Sequence, residues 1–155
     1  MIADYIIQFI VAMVATLAFA MIFSAPKSEL LFCGISGAIG WISYSIISSF
    51  LGAPTLGNMI GSLFLTLFSR SLAVKRKNPV TVYLIAGIFP LVPGAGIYYT
   101  SYYLIMNNME TFGSYGLSTI KTAGAIVMGI IFGMAFPQSW FNTVFAPSCH
   151  KSSSH

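Results

Sequence analysis

Long apolar runs alternate with short polar breaks along the chain, and the breaks carry most of the charge. A helix needs about 20 apolar residues to cross about 30 Å of hydrocarbon. The first run covers about 5–23, opening after Asp4 and closing at the polar turn Ser24-Ala25-Pro26-Lys27-Ser28-Glu29. The second covers 30–51 and ends at Gly52-Ala53-Pro54. A third, shorter run covers 56–72, so its Arg70 is expected to snorkel to the surface. The fourth covers 80–106 and is interrupted by Pro90, Pro93, Gly94 and Gly96. Asn107 to Gly116, carrying Glu110, reads as a polar connection, and the fifth run covers 117–136, where Pro137 ends or kinks it. The pattern predicts an all-α integral membrane protein of about five transmembrane helices, the fourth interrupted by a Pro/Gly break. Residues 1–140 are expected to form the transmembrane helical domain, and 141–155 a disordered C-terminal tail.

Buried helices of a soluble protein would show charged faces at a period near 3.6 residues. Here Ser, Thr and Gly interrupt the apolar runs, but charges rarely do. Of 155 residues, 57% are hydrophobic and 6% charged, against roughly 25% charged in soluble domains. That supply cannot build a water-facing surface, so the apolar surface must face lipid. Ala18-Phe19-Ala20 looks like a cleavage site, but the preceding segment lacks a basic region, and it is read as the first span.

The net charge is +4, and its placement matters more than its sign. With five spans, Lys27, Arg70, Lys75, Arg76, Lys77 and Lys151 fall on one side and Lys121 on the other. The basic side is expected to be cytoplasmic, which puts the N-terminus outside and the C-terminus inside. Arg70, Lys75, Arg76 and Lys77 are thus topology residues first; the sharper alternative is an anionic-lipid contact or a vestibule attracting an anionic substrate. These charges form no broad soluble face, so nucleic acid is excluded as a partner.

Helices in lipid associate through small residues that let backbones approach. Gly34, Gly37 and Gly40 in the second run, Gly57 and Gly61 in the third, and Gly129 and Gly133 in the fifth are candidate packing positions. They suit either a tightly packed single chain or contact with a partner subunit or further copies of this chain. The stretch Ile88-Phe89-Pro90-Leu91-Val92-Pro93-Gly94-Ala95-Gly96 carries more information. Each proline removes a backbone donor and obstructs the carbonyl four residues earlier. Unwound backbone deep in a membrane survives only against protein or a wet cavity, and transporters use such breaks to meet a substrate or ion. Pro90, Pro93, Gly94 and Gly96 are therefore candidate path residues, with a kinked structural helix as the alternative. Tyr98 and Tyr99 line the same path or anchor the interface, and Asn58 is a further candidate.

Catalytic chemistry is missing from the pattern. The three carboxylates avoid the middles of the spans, His150 and His155 lie in the tail, and Cys33 and Cys149 suggest no disulfide. No metal cluster, phosphate loop or cofactor motif is visible, so neither an enzyme nor a cofactor is expected. A proton-coupled carrier acting alone lacks the usual buried acid, which a partner would have to supply.

The segments Phe19-Ala20-Met21-Ile22-Phe23-Ser24-Ala25-Pro26 and Cys33-Gly34-Ile35-Ser36-Gly37-Ala38-Ile39-Gly40 resemble the small component of the threonine/serine exporter family. Phe89 to Tyr99 is similar to that family's proline-glycine segment, and the resemblance runs from about residue 15 to 137. It implies a multi-pass exporter of the bacterial inner membrane. Family members fuse two membrane halves or split them into two proteins, and this chain resembles the smaller half. The implied partner is a larger membrane subunit; the implied substrates are threonine and serine, or succinate as in a split-type relative. On this basis the expected role is a subunit exporting a small polar metabolite by alternating access around the broken helix. The alternative is a membrane scaffold that assembles a larger complex without transporting.

Overall fold

The computed structural model describes residues 2–137, and the C-terminal tail with Cys149, His150, Lys151 and His155 lies outside the described residues. The helices are α1 (Ile2–Ile22), α2 (Leu30–Leu51), α3 (Pro54–Arg76), α4 (Val80–Ile88), α5 (Gly94–Ile105) and α6 (Met109–Ala135), with a 3-10 turn, Phe89–Leu91, between α4 and α5. The described residues contain no strand.

Local chemistry sets the helix ends. Residues with left-handed backbone follow four helices: Ser24 after α1, Gly52 after α2, Lys77 after α3 and Asn107 after α5. That conformation turns the chain off the axis and lets later amides close on the last free carbonyls. Ala25 N–H thus reaches Ala20 O, and Asn108 N–H reaches Tyr103 O, both at 3.0 Å. Pro54 occupies the first turn of α3, where its missing amide hydrogen costs nothing. The segment expected to be a polar connection, 107–116, is mostly helix. Asn108 Oδ1 accepts from the Thr111 amide at 3.2 Å, and Glu110 in the first turn complements the positive end of the helix. Polarity there marks surface, not a break.

By length and apolarity α1, α2 and α6 can each cross a membrane, and the pair α4–α5, bent by 55°, makes a fourth. Helix α3 falls short in apolarity but not in length, its 23 residues reaching about 34 Å. The cause is a row of polar side chains, Asn58, Ser62, Thr66, Ser69 and Arg70, all buried within the bundle. It packs between α2 on one side and α6 on another. The protein is an all-α membrane bundle with a broken helix.

Contacts fix the direction of each helix. Gln8 meets Ser45, and the α1 residue Thr16 meets Gly37, so α1 and α2 are antiparallel. Gly57 lies against Ser48 and Gly61 against Gly40, so α2 and α3 are antiparallel too. Gly129 lies against Ser62 and Gly133 against Thr66, so α6 runs parallel to α3. A re-entrant α4–α5 loop would return the chain to the side it left and make α6 antiparallel to α3. The observed parallel pairing means that the bent pair crosses once, as one broken span.

Glycines bring the backbones together. A Cβ at Gly34 would lie 2.9 Å from Leu17 Cγ, at Gly61 2.9 Å from Gly40 O, and at Gly57 3.1 Å from Tyr44 O. Gly37 faces Thr16 at closer range still, and Gly40 faces Leu65. Two apolar clusters fill the remaining space: Ala20, Cys33, Leu72, Tyr83 and Ala86 toward one end, and Leu65, Leu91 and Ile126 near the break. Helix α5 stands apart, packed against α6 and with no buried residue.

Candidate functional site

The break is built by the two prolines. Helix α4 stops at Ile88, Pro90 lies in the 3-10 turn, and Val92 is extended (φ −61°, ψ 130°) before α5 starts at Gly94. Val92 N–H bonds Phe89 O at 3.2 Å, Gly94 N–H bonds Val92 O at 2.8 Å and Ile97 N–H bonds Pro93 O at 3.1 Å. The amides of Ala95 and Gly96 find no acceptor among the described residues, and no side chain caps α5. Such orphan amides, at the positive end of a helix, favour an anionic or carbonyl oxygen.

They open on a cleft of about 410 Å³, walled by residues 90–96, by Trp41 and Tyr44 of α2, by Pro54 and Asn58 of α3, and by Tyr115, Ser118, Thr119 and Thr122 of α6. Each wall is held by its own helix. Trp41 Nε1 donates to Gln8 Oε1 at 3.3 Å, and its ring centroid sits 5.2 Å from that of Tyr44. Asn58 Nδ2 donates to Pro54 O at 2.9 Å, which leaves its Oδ1 without a donor among the described residues. Thr119 packs directly on Gly96, where a Cβ would collide with its hydroxyl. Gly94 also lines the cleft, and a Cβ there would meet nothing within 4 Å. Among the described residues no carboxylate or cation lines the cleft. It offers amide hydrogens, hydroxyls and an amide oxygen without net charge, a set suited to a small polar solute bearing a carboxylate.

Of the path candidates, Pro90, Pro93, Gly94, Gly96 and Asn58 share this cleft, whereas Tyr98 and Tyr99 are outside its lining. Those two are exposed and belong to a tyrosine cluster on α5 and α6, in which Tyr99 and Tyr103 lie 5.3 and 5.5 Å from Tyr115. The α5 turn that follows the break carries them away from the cleft, and Tyr115 takes the lining position instead. Trp41, Tyr44, Ser118, Thr119 and Thr122 were not evident from the sequence. A signal existed on α6: Tyr115, Ser118, Thr119 and Thr122 follow the spacing i, i+3, i+4, i+7 of one helix face.

At the other end of the bundle the basic residues have specific work. Glu29, 4% exposed at the start of α2, accepts from Arg76 Nε at 3.0 Å, Arg76 NH2 at 2.8 Å and Tyr83 Oη at 2.7 Å. The Arg76 guanidinium lies 4.2 Å from the Phe32 ring centroid and holds the Glu29 carboxyl below its ordinary pKa of 4.5, against the opposing effect of burial. The pair ties the α1–α2 turn to the end of α3 and the start of α4.

Arg70 departs from expectation: it does not reach the surface but is 7% exposed. Its NH1 donates to the carbonyls of Gly133, Met134 and Phe136 at 2.9, 2.8 and 2.7 Å, capping the C-terminus of α6. Free carbonyls at a helix end are a better destination than lipid headgroups when they lie within reach. Lys75 and Lys77 remain exposed. No cluster of metal-ligating side chains occurs among the described residues.

A family model described as Threonine/Serine exporter, ThrE, matches residues 8–136, a stretch containing the break and every residue of the cleft. No solved structure matches the chain.

Proposed function

The chain belongs to the threonine/serine exporter family, a family of membrane transporters, and on that premise we propose that it is one membrane subunit of a two-component exporter. Its solute is a small polar metabolite with a carboxylate, threonine or serine or a dicarboxylate such as succinate. The solute rests in the cleft at the α4–α5 break, and alternating access proceeds around that break. A larger membrane subunit of the same family completes the pathway, in a bacterial inner membrane with the N-terminus outside and the C-terminus in the cytoplasm. The protein catalyses no covalent step and uses no cofactor. The single observation carrying this reading is a broken span whose free Ala95 and Gly96 amides face an uncharged polar cleft.

Glu29 is held ionised by Arg76, which makes it a poor proton carrier. None of the three carboxylates lines the cleft, and a proton gradient, where it drives export, is proposed to act through an acid of the partner. Reconstitution of this chain alone with pH-gradient-driven uptake would overturn that assignment.

Gly94→Leu tests the site directly. A Cβ at Gly94 meets nothing within 4 Å and Gly94 lines the cleft, so insertion and melting temperature should hold while efflux is lost. Unchanged efflux removes the cleft from the mechanism. A non-transporting scaffold is separated by Ala95→Cys: protection of that thiol by threonine, serine or succinate is expected of a transporter subunit alone.

A further inference from the structure

A polar ridge leads out of the cleft into the interior. Asn58, Ser62, Thr66 and Arg70 recur at every fourth position of α3, which places them on one ridge of the helix. All are buried, Ser62 and Thr66 completely, and so is Ser69 beside them. The ridge packs on α6 at Gly129 and Gly133, where a Cβ would collide with Ser62 and Thr66. Its outer end, Asn58, lines the cleft at the break. At its inner end Arg70 lines a second cleft of about 360 Å³ together with Asn78 and Met134.

Packing alone does not account for all of these side chains. Ser and Thr between membrane helices serve either as small residues that let backbones approach or by bonding across the interface. Ser62 Oγ donates to Met59 O at 2.9 Å and Thr66 Oγ1 to Ser62 O at 2.7 Å, both within α3. The Ser69 hydroxyl is fully buried with no partner among the described residues. An alanine there would remove an orphan polar group that costs free energy to bury. A hydroxyl buried without a partner among the described residues is unexplained in a permanently closed interface. It becomes useful when the seam is wet.

We infer that the α3–α6 seam is the inner half of the solute path, the ridge from Asn58 to Arg70 lining it when the two helices part. This rests on the exporter reading and extends it to residues outside the cleft. In the present arrangement the seam is shut by glycine packing, and Arg70 fastens its inner end by holding the last carbonyls of α6. Parting of the helices releases that guanidinium, which then receives the carboxylate of the solute through a charge-assisted contact. Solutes with a carboxylate are thereby passed from backbone amides at the break, along hydroxyls, to a cation at the cytoplasmic end.

The test uses the full chain in cells, co-expressed with the larger subunit, exporting threonine, serine or succinate. Thr66→Cys and Ser69→Cys are compared with Phe64→Cys, an exposed, lipid-facing position on the same helix. A charged, membrane-impermeant thiol reagent should label the first two several-fold more than Phe64→Cys and the parent chain, and labelling should stop efflux. Labelling of both at the level of Phe64→Cys, with export intact, overturns the seam and leaves the cleft standing. Should the cysteine variants fail to accumulate, Thr66→Val and Ser69→Ala decide the matter. Both keep the packing, and a several-fold loss of efflux at unchanged melting temperature is expected, whereas full efflux in both overturns the inference. A parent chain that exports none of the three solutes defeats the exporter reading itself, and the seam with it.

Discussion

The two halves of α6 carry similar glycines in opposite surroundings. In the C-terminal half, Gly129 and Gly133 are pressed against α3, so closely that no side chain fits. In the N-terminal half, a Cβ at Gly113 would meet nothing within 4 Å, and the same holds at Gly124 near the middle. Leu117 and Ile120 are exposed there, as Ile131 and Phe132 are on the outer face of the other half, and α5, the neighbour of this half, buries no residue. The C-terminal half is seated on α3 along its glycine face. The other is finished by something beyond this chain, lipid or the proposed larger subunit. The lesson is that glycine in a membrane helix reports close approach only when the approaching backbone or side chain is identified.

Changes at Gly133 should break this contrast most severely. An alanine Cβ there would lie 2.6 Å from Thr66 Cβ, an overpacking expected to cost about 1–3 kcal/mol, and Gly133→Leu should prevent the bundle from forming. Melting of the detergent-solubilised chain reads both variants, and a leucine variant that melts like the parent would refute the packing.

Next in size is Glu29→Gln, which removes the negative charge facing Arg76 and one of the two oxygens that accept from Arg76 and Tyr83, and should lower the melting temperature clearly. Its pH dependence has a definite sign. The folded carboxyl titrates below its ordinary value of 4.5, so the stabilisation is complete above that value and is lost as pH falls through the lowered one. The gap in melting temperature between parent and Glu29→Gln should be constant near neutrality and close only in acid. A gap that closes between pH 6 and 8, the window of about 6–8 in which unperturbed histidines titrate, would assign the effect elsewhere.

Gly94→Ala should leave stability untouched and slow efflux less than Gly94→Leu does, since the added methyl only begins to fill the cleft. Equal efflux from alanine, leucine and parent would mean that nothing approaches Gly94 during transport. The smallest effect is expected at Gly124→Ala, where helix propensity improves by up to about 1 kcal/mol and no contact is lost. Gly124→Leu sharpens the comparison: the isolated chain should melt normally, while co-purification of the larger subunit drops if that face is where it docks.

Hydropathy along the chain carried the fold class because lipid supplies no hydrogen-bond partners, so each span must satisfy its own backbone and declare itself locally. It misled at 109–116, where Glu110 and the hydroxyl residues resembled a loop; the Asn108 cap that starts α6 is an effect of side-chain geometry rather than of polarity. It undervalued α3 for a related reason, since residues buried against other helices need not be apolar. The break was legible because proline acts on its own chain. The far walls of the cleft were not: Trp41, Tyr44 and the α6 stripe reach residues 90–96 only through packing.

Arg70 shows where local information ends. Sequence alone placed a cation near the end of a short apolar run, and by ordinary membrane physics it belonged at the surface. Only the arrangement of α6 alongside α3 supplied the three carbonyls that hold it inside. Helical spans, their order, the broken segment and the scarcity of charge were determined by the sequence, because each depends on residues close together in the chain. The parallel pairing of α3 with α6, the closed glycine seam, the Glu29–Arg76–Tyr83 tie and the shape of the cleft were decided by tertiary structure. Each of these joins residues far apart in sequence, and their energies exist only once the helices have met.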